Sequence, residues 1–383
     1  MTQGRGQVIH ADELTHYDFG AGHPMGPNRV KWAIELAREL GVMDQLDVIP
    51  PPPADDDLVR LVHTDDYIEA VKAELPNPRY GLGTEDNPIF HGMHHVASQV
   101  VTATVAAARQ VWTGQTKRVA NISGGLHHAM PAATSGFCVY NDIAVAIRWL
   151  QREGAGRIVY LDVDAHHGDG VQEIFYHDPN VLTISLHESP IHLFPGTGYA
   201  SETGAKDARG SAVNVALPPH TTDAEWLRAF DAIVPDVIAA FGPEIIVSQH
   251  GCDSHRLDPL ADLQLSVDGQ RESYLMVADL ADRYAGGRWI ATGGGGYSTD
   301  SVVPRAWAHL LAIVAGHPIP VDTPTPQAWR DQLGPEAPLT MGDGRGVGFE
   351  SVAWGYNPSS RLDQAIIATR RAVFPELGLD PDF

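Results

Sequence analysis

The chain has 383 residues, 43% hydrophobic and 19% charged, enough to bury one large or two smaller cores in an ordinary globular enzyme. Its 48 acidic residues outweigh 26 Lys and Arg, and the formal net charge of −22 opposes binding to phosphate backbones and suits cationic partners. No apolar run approaches the ~18 residues of a membrane span, Met1 to His10 lacks an apolar signal core, and the two cysteines, Cys138 and Cys252, rule against a disulfide framework or a Cys-based zinc site, so a reducing cytoplasm is the expected compartment.

Along the chain, Pro27 and Asn28 open an amphipathic helix that Gly41 closes. Pro50 to Asp57 reads as a Pro- and Asp-rich loop, and Asp65 to Leu75 and His95 to Val111 as helices. Val119 to Ile122 is a short apolar strand, and Asp142 to Glu153 a helix. The spacing then predicts a strand over Ile158 to Asp164, a helix over Val171 to Tyr176 and a strand over Val181 to His187. Ala224 to Phe241 is a helix, Glu244 to Gln249 a strand, Val267 to Tyr284 a helix, Arg288 to Thr292 a strand and Val302 to Ala315 a helix. The tail from Pro318 is Pro-rich and less periodic, and no repeat or composition break marks a second domain. The alternation predicts an α/β fold with a mainly parallel central sheet.

Ligands of such sheets bind beyond the carboxyl ends of the strands. Four strand ends run into polar, Gly-rich segments: Gly124-Gly125-Leu126-His127-His128, Asp162 to Gly170, Gln249 to Asp253, and Gly293 to Tyr297. Alternate residues of an extended segment point the same way, so Asp164 and His166 can reach one ion together. Asp253, from another strand end, can supply a third ligand. Two carboxylates and one imidazole, with solvent in the open position, suit a catalytic divalent metal.

Metal-assisted hydrolysis also needs a group that takes a proton from water and one that returns a proton to the leaving group. A catalytic histidine is commonly oriented by a carboxylate on its far nitrogen, which pairs His127 with Asp162 and His128 with Asp169. Tyr297 could donate a hydrogen bond to an oxyanion. Other templates fail. Gly293 to Gly296 lacks the Gly-Lys-Ser/Thr of a phosphate loop, Pro190 breaks any metalloprotease helix after His187-Glu188, and no Gly-x-Ser-x-Gly elbow exists.

These segments, with Gly136-Phe137-Cys138 and Phe194-Pro195-Gly196-Thr197-Gly198, resemble the ordered motifs of class I histone deacetylases over roughly His23 to Tyr297. Bacterial acetoin utilisation deacetylase-like proteins are the members most resembled. The resemblance implies a three-layer α/β/α, arginase-like fold, with residues 1–383 forming one deacetylase domain on which the segment from about 318 packs. It implies one Zn2+ ion, with Fe2+ as an alternative, on Asp164, His166 and Asp253. It implies His128 with Asp169 as general base, His127 with Asp162 as electrostatic partner and Tyr297 as oxyanion donor. An acyl-lysine tunnel would be walled by Gly136, Phe137, Phe194 and Leu260, with Asp86 holding substrate backbone at the rim and Arg29 at the foot.

The same resemblance implies a structural K+ or Na+ near Asp162, Asp164, His166, Ser185 and Leu186, and a second near Phe175, Asp178 and Val181. Leu193, Cys252 and His255 depart from many members. The expected activity is hydrolysis of N-acetyl-lysine side chains of proteins, with no nucleic-acid or membrane partner. The alternatives are an acetylpolyamine amidohydrolase acting on small acetylated amines, a non-catalytic acetyl-lysine-binding protein, and a binuclear manganese ureohydrolase of similar fold.

Overall fold

Eight strands form one sheet in the computed structural model, which describes residues 4–382; Met1 to Gln3 and Phe383 lie outside the described residues. The strands are β1 (Gln7–Ile9), β2 (Asp47–Ile49), β3 (Arg118–Asn121), β4 (Ile158–Asp162), β5 (Val181–Glu188), β6 (Ala212–Leu217), β7 (Ile245–Gln249) and β8 (Trp289–Thr292). Their order across the sheet is β2-β1-β3-β8-β7-β4-β5-β6, and every pairing is parallel. The helices are α1 (Asn28–Glu39), α2 (Asp56–Val59), α3 (Asp65–Lys72), α4 (Met93–Trp112), α5 (Asp142–Arg152), α6 (Asp169–Phe175), α7 (Asp223–Phe241), α8 (Val267–Tyr284), α9 (Val303–Val314), α10 (Gln327–Leu333) and α11 (Arg361–Val373).

Every residue of β4, β5 and β7 is buried, as expected for central strands covered on both faces. Alternation divides them between two cores. Val159, Leu161 and Ile246 face the core built with α1, α7, α8, α9 and α11, whereas Ile158, Tyr160, Ile245 and Val247 face the core built with α3, α4 and α5. This is the three-layer α/β/α arrangement. Among the described residues, no helix is long and apolar enough to cross a membrane.

The structure differs from the sequence reading in several places. β1 and β2, at three residues each, are too short to show a period, and Asn214 interrupts the apolar run of β6. The loop expected over Pro50 to Asp57 gives way at Asp56 to α2, whose cap Asp55 accepts the Asp57 N–H at 2.9 Å. β4 ends at Asp162, so Asp164 and His166 lie on the loop beyond it rather than on an extended strand. The tail contains α11, held by Thr369 Oγ1 donating to the β6 carbonyl of Asn214 at 2.5 Å and by the Arg228–Asp363 ion pair at 2.9 Å.

Candidate active site

β3, β8, β7 and β4 are neighbours in the sheet, so their carboxyl ends deliver Gly124–His128, Gly293–Tyr297, His250–Asp258 and Val163–Gly168 to one rim. The β4 loop is shaped by its own carboxylates. Asp162 Oδ1 accepts the Asp164 N–H at 3.1 Å, and Asp164 Oδ1 accepts the His166 N–H at 2.9 Å. Two such turns, and not strand alternation, bring the Asp164 and His166 side chains together.

Asp164, His166 and Asp253 are buried, and one ligand atom of each lies within 4.8 Å of the others, a geometry able to hold a metal ion. His166 Nδ1 is 3.2 Å from Asp164 Oδ1 and 2.9 Å from Asp253 Oδ2. The outward oxygens are already occupied. Asp164 Oδ2 accepts Gln249 Nε2 at 2.7 Å and the Gly295 N–H at 2.8 Å, and Asp253 Oδ1 accepts the Ala165 N–H at 2.8 Å. The inward oxygens are thereby aimed at a common point.

Burial and the charge of Asp164 raise the pKa of the Asp253 carboxyl, the mutual repulsion of two carboxylates buried side by side. A Cβ at Gly251 would collide with the Asp164 carboxylate, and one at Gly295 with that of Asp253, so only glycine admits this packing. The donor set, two oxygens and one nitrogen in a closed cradle, fits a divalent ion. Among the described residues no other cluster of three or more His, Cys, Asp or Glu has this convergence.

Beside the cluster stand the tandem histidines. His127 Nδ1 is 2.8 Å from Asp162 Oδ2, and His128 Nδ1 is 2.7 Å from Asp169 Oδ1 on the first turn of α6. Their Nε2 atoms are 3.0 Å apart. Burial works against a charge on His127, but the Asp162 and Asp164 carboxylates outweigh it and raise its pKa to about 9. Burial and the neighbouring His127 lower His128 to about 4, against the pull of Asp169. The pair therefore holds one proton more than a neutral pair, on His127, whose Nε2–H faces the lone pair of His128 Nε2.

A pocket of about 200 Å³ opens above this floor, lined by Gly136, Phe137, Phe194, Leu193, Leu260, Asp86, His128, His166 and Tyr297. Phe137 sits at φ 67°, and Asn87 Oδ1 accepts its N–H at 3.0 Å. The Tyr297 ring meets Phe137 edge-on at 5.7 Å, and burial pushes its phenol well above the usual range, keeping the O–H donor. Arg29 is buried below, its Nε donating to the Gly296 carbonyl at 2.7 Å and its guanidinium 5.3 Å from the Tyr297 ring. Asp86 is exposed at the mouth, and its carbonyl is 3.2 Å from His23 Nε2.

Of the residues assigned to cation sites, Asp162 pairs with Ser185 in the β4–β5 register, next to Leu186. Phe175, Asp178 and Val181 form the turn after α6, with the Asp178 N–H on Phe175 O at 2.9 Å and the Val181 N–H on Asp178 O at 3.2 Å.

Three contributors escaped the sequence reading. Tyr160 donates its O–H to Asp162 Oδ2 at 2.5 Å; its place two residues before Asp162 on one strand face was the available signal. Gln249, which opens the Gln249 to Asp253 segment but was given no role there, fixes Asp164. Asn141 Nδ2 donates to the carbonyls of His127 and Ala129 at 3.2 and 3.1 Å while its Oδ1 caps α5, the kind of cap that Asn before a helix announces.

The sequence profile of the histone deacetylase domain matches residues 23–314. The acetoin utilization protein AcuC of Bacillus subtilis (strain 168) is 43% identical over 323 residues, 82% of this chain and 84% of that protein. The AcuC of Staphylococcus xylosus is 38% identical over 348 residues, 89% of this chain and 90% of its own. A crystal structure of an HDAC homolog from Aquifex aeolicus superposes with a TM-score of 0.78 at 30% identity, covering 85% of this chain and 88% of the other. An HDAC homolog complexed with SAHA gives the same TM-score and identity over 86% and 88%.

Proposed function

The chain belongs to the histone deacetylase family and is a deacetylase that hydrolyses amides, and on that footing we propose that it removes acetyl groups from lysine side chains of proteins at a single zinc site. The observation that carries this reading is the meeting of two His–Asp pairs with the Asp164–His166–Asp253 cluster at the foot of one narrow pocket. A zinc ion on those three residues, for which Fe2+ is the alternative, would supply Lewis acidity to the acetyl carbonyl and to water beside it.

The chain's own groups account for the rest. Neutral His128, its Nδ1–H fixed on Asp169, accepts the proton of the attacking water at Nε2 and returns it to the amine nitrogen as the C–N bond breaks. His127, held cationic by Asp162, offsets negative charge beside it. The Tyr297 phenol donates to the carbonyl oxygen as that oxygen becomes negative. Gly136, Phe137, Phe194 and Leu260 wall the four-methylene stem, and Asp86 accepts backbone N–H groups flanking the acetyl-lysine. A K+ or Na+ near Asp162, Ser185 and Leu186 and another at the Phe175–Val181 turn would stiffen the loops.

The cytoplasm is the compartment this reading assumes. A chain with net charge −22 favours cationic surroundings, and the acetoin utilization proteins among its relatives favour an acetylated metabolic enzyme over a histone. The deciding measurement is kcat/KM for an acetyl-lysine peptide against acetylputrescine on enzyme of known metal content. A decisive preference for acetylputrescine would make the protein an acetylpolyamine amidohydrolase. Binding of the peptide without turnover would make it an acetyl-lysine reader.

A further inference from the structure

Asp258 is a buried carboxylate that no step above uses, with 8% of its surface exposed. It follows the β7 loop that carries Asp253, and its own N–H donates to the His255 carbonyl at 2.8 Å. Oδ1 accepts the N–H of Leu260 at 3.0 Å, and Oδ2 accepts the N–H of Tyr297 at 2.7 Å from the loop after β8. One side chain thus joins a wall of the pocket to the residue read as oxyanion donor.

The segment before Tyr297 is held through its backbone, by the Asp164 carboxylate, the Cys252 N–H and Arg29. Gly293 to Gly296 has no side chains to pack, and Gly294 and Gly296 sit at φ 157° and 128°. The Tyr297 ring touches Phe137 and Arg29, and Arg29 Nε also holds the carbonyl of the Gly296–Tyr297 peptide at 2.7 Å, which leaves the N–H of that peptide to be held by another group. Among the described residues, the Asp258 carboxylate is the hydrogen-bond partner that holds the Tyr297 N–H.

We propose that Asp258 is a positioning residue for the reaction: it sets the Tyr297 phenol at the level of the substrate carbonyl and locks that level to Leu260. A substrate stem seated against Leu260 and the donor to its carbonyl then share one anchor. The inference rests on the reading of Tyr297 as oxyanion donor.

The test is a double-mutant cycle with Asp258→Ala and Tyr297→Phe, read as kcat and KM on an acetyl-lysine peptide with bound metal and melting temperature measured on each variant. A misplaced reacting group costs up to about 10²-fold, so Asp258→Ala alone should lower kcat about 10- to 10²-fold, with KM within about threefold and metal unchanged. In the Tyr297→Phe background the same change should cost less than about threefold more, because the group it positions is gone. Losses that multiply, a kcat within about threefold of the parent, or loss of metal from Asp258→Ala would each overturn the proposal. If Asp258→Ala does not fold, Asp258→Asn, which keeps an acceptor for one of the two N–H groups, enters the cycle with the same expectation. Tyr297→Phe with normal kcat would remove the oxyanion-donor reading itself and this inference with it. A slow Tyr297→Phe with multiplying losses removes only the role of Asp258.

Discussion

His127 and His128 face each other with Nε2 atoms 3.0 Å apart while each keeps its Nδ1 on a different carboxylate, Asp162 or Asp169. Neighbours in sequence therefore acquire opposite protonation: His127 is raised to about 9 and His128 lowered to about 4. The first prediction is a split between them. His128→Ala removes the group proposed as proton acceptor and should lower kcat on the order of 10²–10⁴-fold with metal retained. His127→Ala should cost less, because the acceptor remains. Steady-state kinetics with metal analysis checks this, and the reverse order of severity would exchange the two roles.

The second prediction concerns Asp253. Its inward Oδ2 is one of three donor atoms, and its outward Oδ1 holds the Ala165 N–H. Asp253→Ala should lose most of the bound ion and at least about 10²-fold in activity. Elemental analysis of the purified variant is the check, and a full equivalent of metal with normal turnover would reject the ligand assignment.

Asp86 gives the third. Among the described residues its exposed side chain at the mouth makes no hydrogen bond or ion pair, so Asp86→Ala should leave the melting temperature within about 2 °C. With backbone hydrogen bonds to a charged acceptor at stake, kcat/KM for an acetyl-lysine peptide should fall about tenfold or more. Turnover of a small acetylated amine, which has no flanking backbone, should change by less than about twofold. Equal effects on both substrates would remove Asp86 from peptide binding.

The fourth concerns acid stability. Asp343 lies in the tail, yet its carboxylate accepts His255 Nε2 at 2.8 Å, Arg256 and Arg305 at 2.9 Å each, and the Val267 N–H at 3.0 Å. Burial acts to raise its pKa, but His255, Arg305 and the Val267 amide outweigh it and hold the carboxyl well below the ordinary 3.8. A carboxyl depressed in this way contributes stability that is fully present above the unfolded value and lost as pH falls towards the folded one. Asp343→Asn should cost about 3 kcal/mol at pH 7, by leaving buried Arg305 without its charged partner. It should also flatten the fall of melting temperature between about pH 5 and pH 3, the window in which an ordinary Asp begins to protonate. Parallel melting curves for parent and variant would refute this.

The sequence shows the sheet wherever strands are long and covered on both faces, because β4 and β7 then open on apolar runs and only Thr183 and Ser185 interrupt the apolar residues of β5 before His187. It hides β1 and β2, whose three residues owe their extension to pairing with each other and with β3. The α11 helix was legible: Ser360 caps it, and Leu362, Ile366, Ile367 and Val373 recur at helical spacing behind the proline-rich stretch that drew the tail as irregular. In the site, residue types after strand ends point to the right rim, but the reason Asp164 and His166 meet is a pair of carboxylate-capped turns that strand alternation does not describe. Asp258 was invisible as a site residue because its partners are backbone N–H groups, one of them 39 residues away.

The place of β8 in the sheet has a consequence for biosynthesis. β8 lies between β3 and β7, so it joins a three-stranded half, β2-β1-β3, to a four-stranded half, β7-β4-β5-β6. It is also the last of these eight strands to leave the ribosome. Until Trp289 to Thr292 emerge, the nascent chain carries two half-sheets with the edges of β3 and β7 unpaired, and the histidines at the end of β3 are not yet joined through the sheet to the carboxylates at the ends of β4 and β7. Such late, long-range closure is slow and leaves strand edges open to mispairing. The Asp164–His166–Asp253 cradle, which also requires Gly295, therefore closes only after β8 and the glycine loop that follows it have been made.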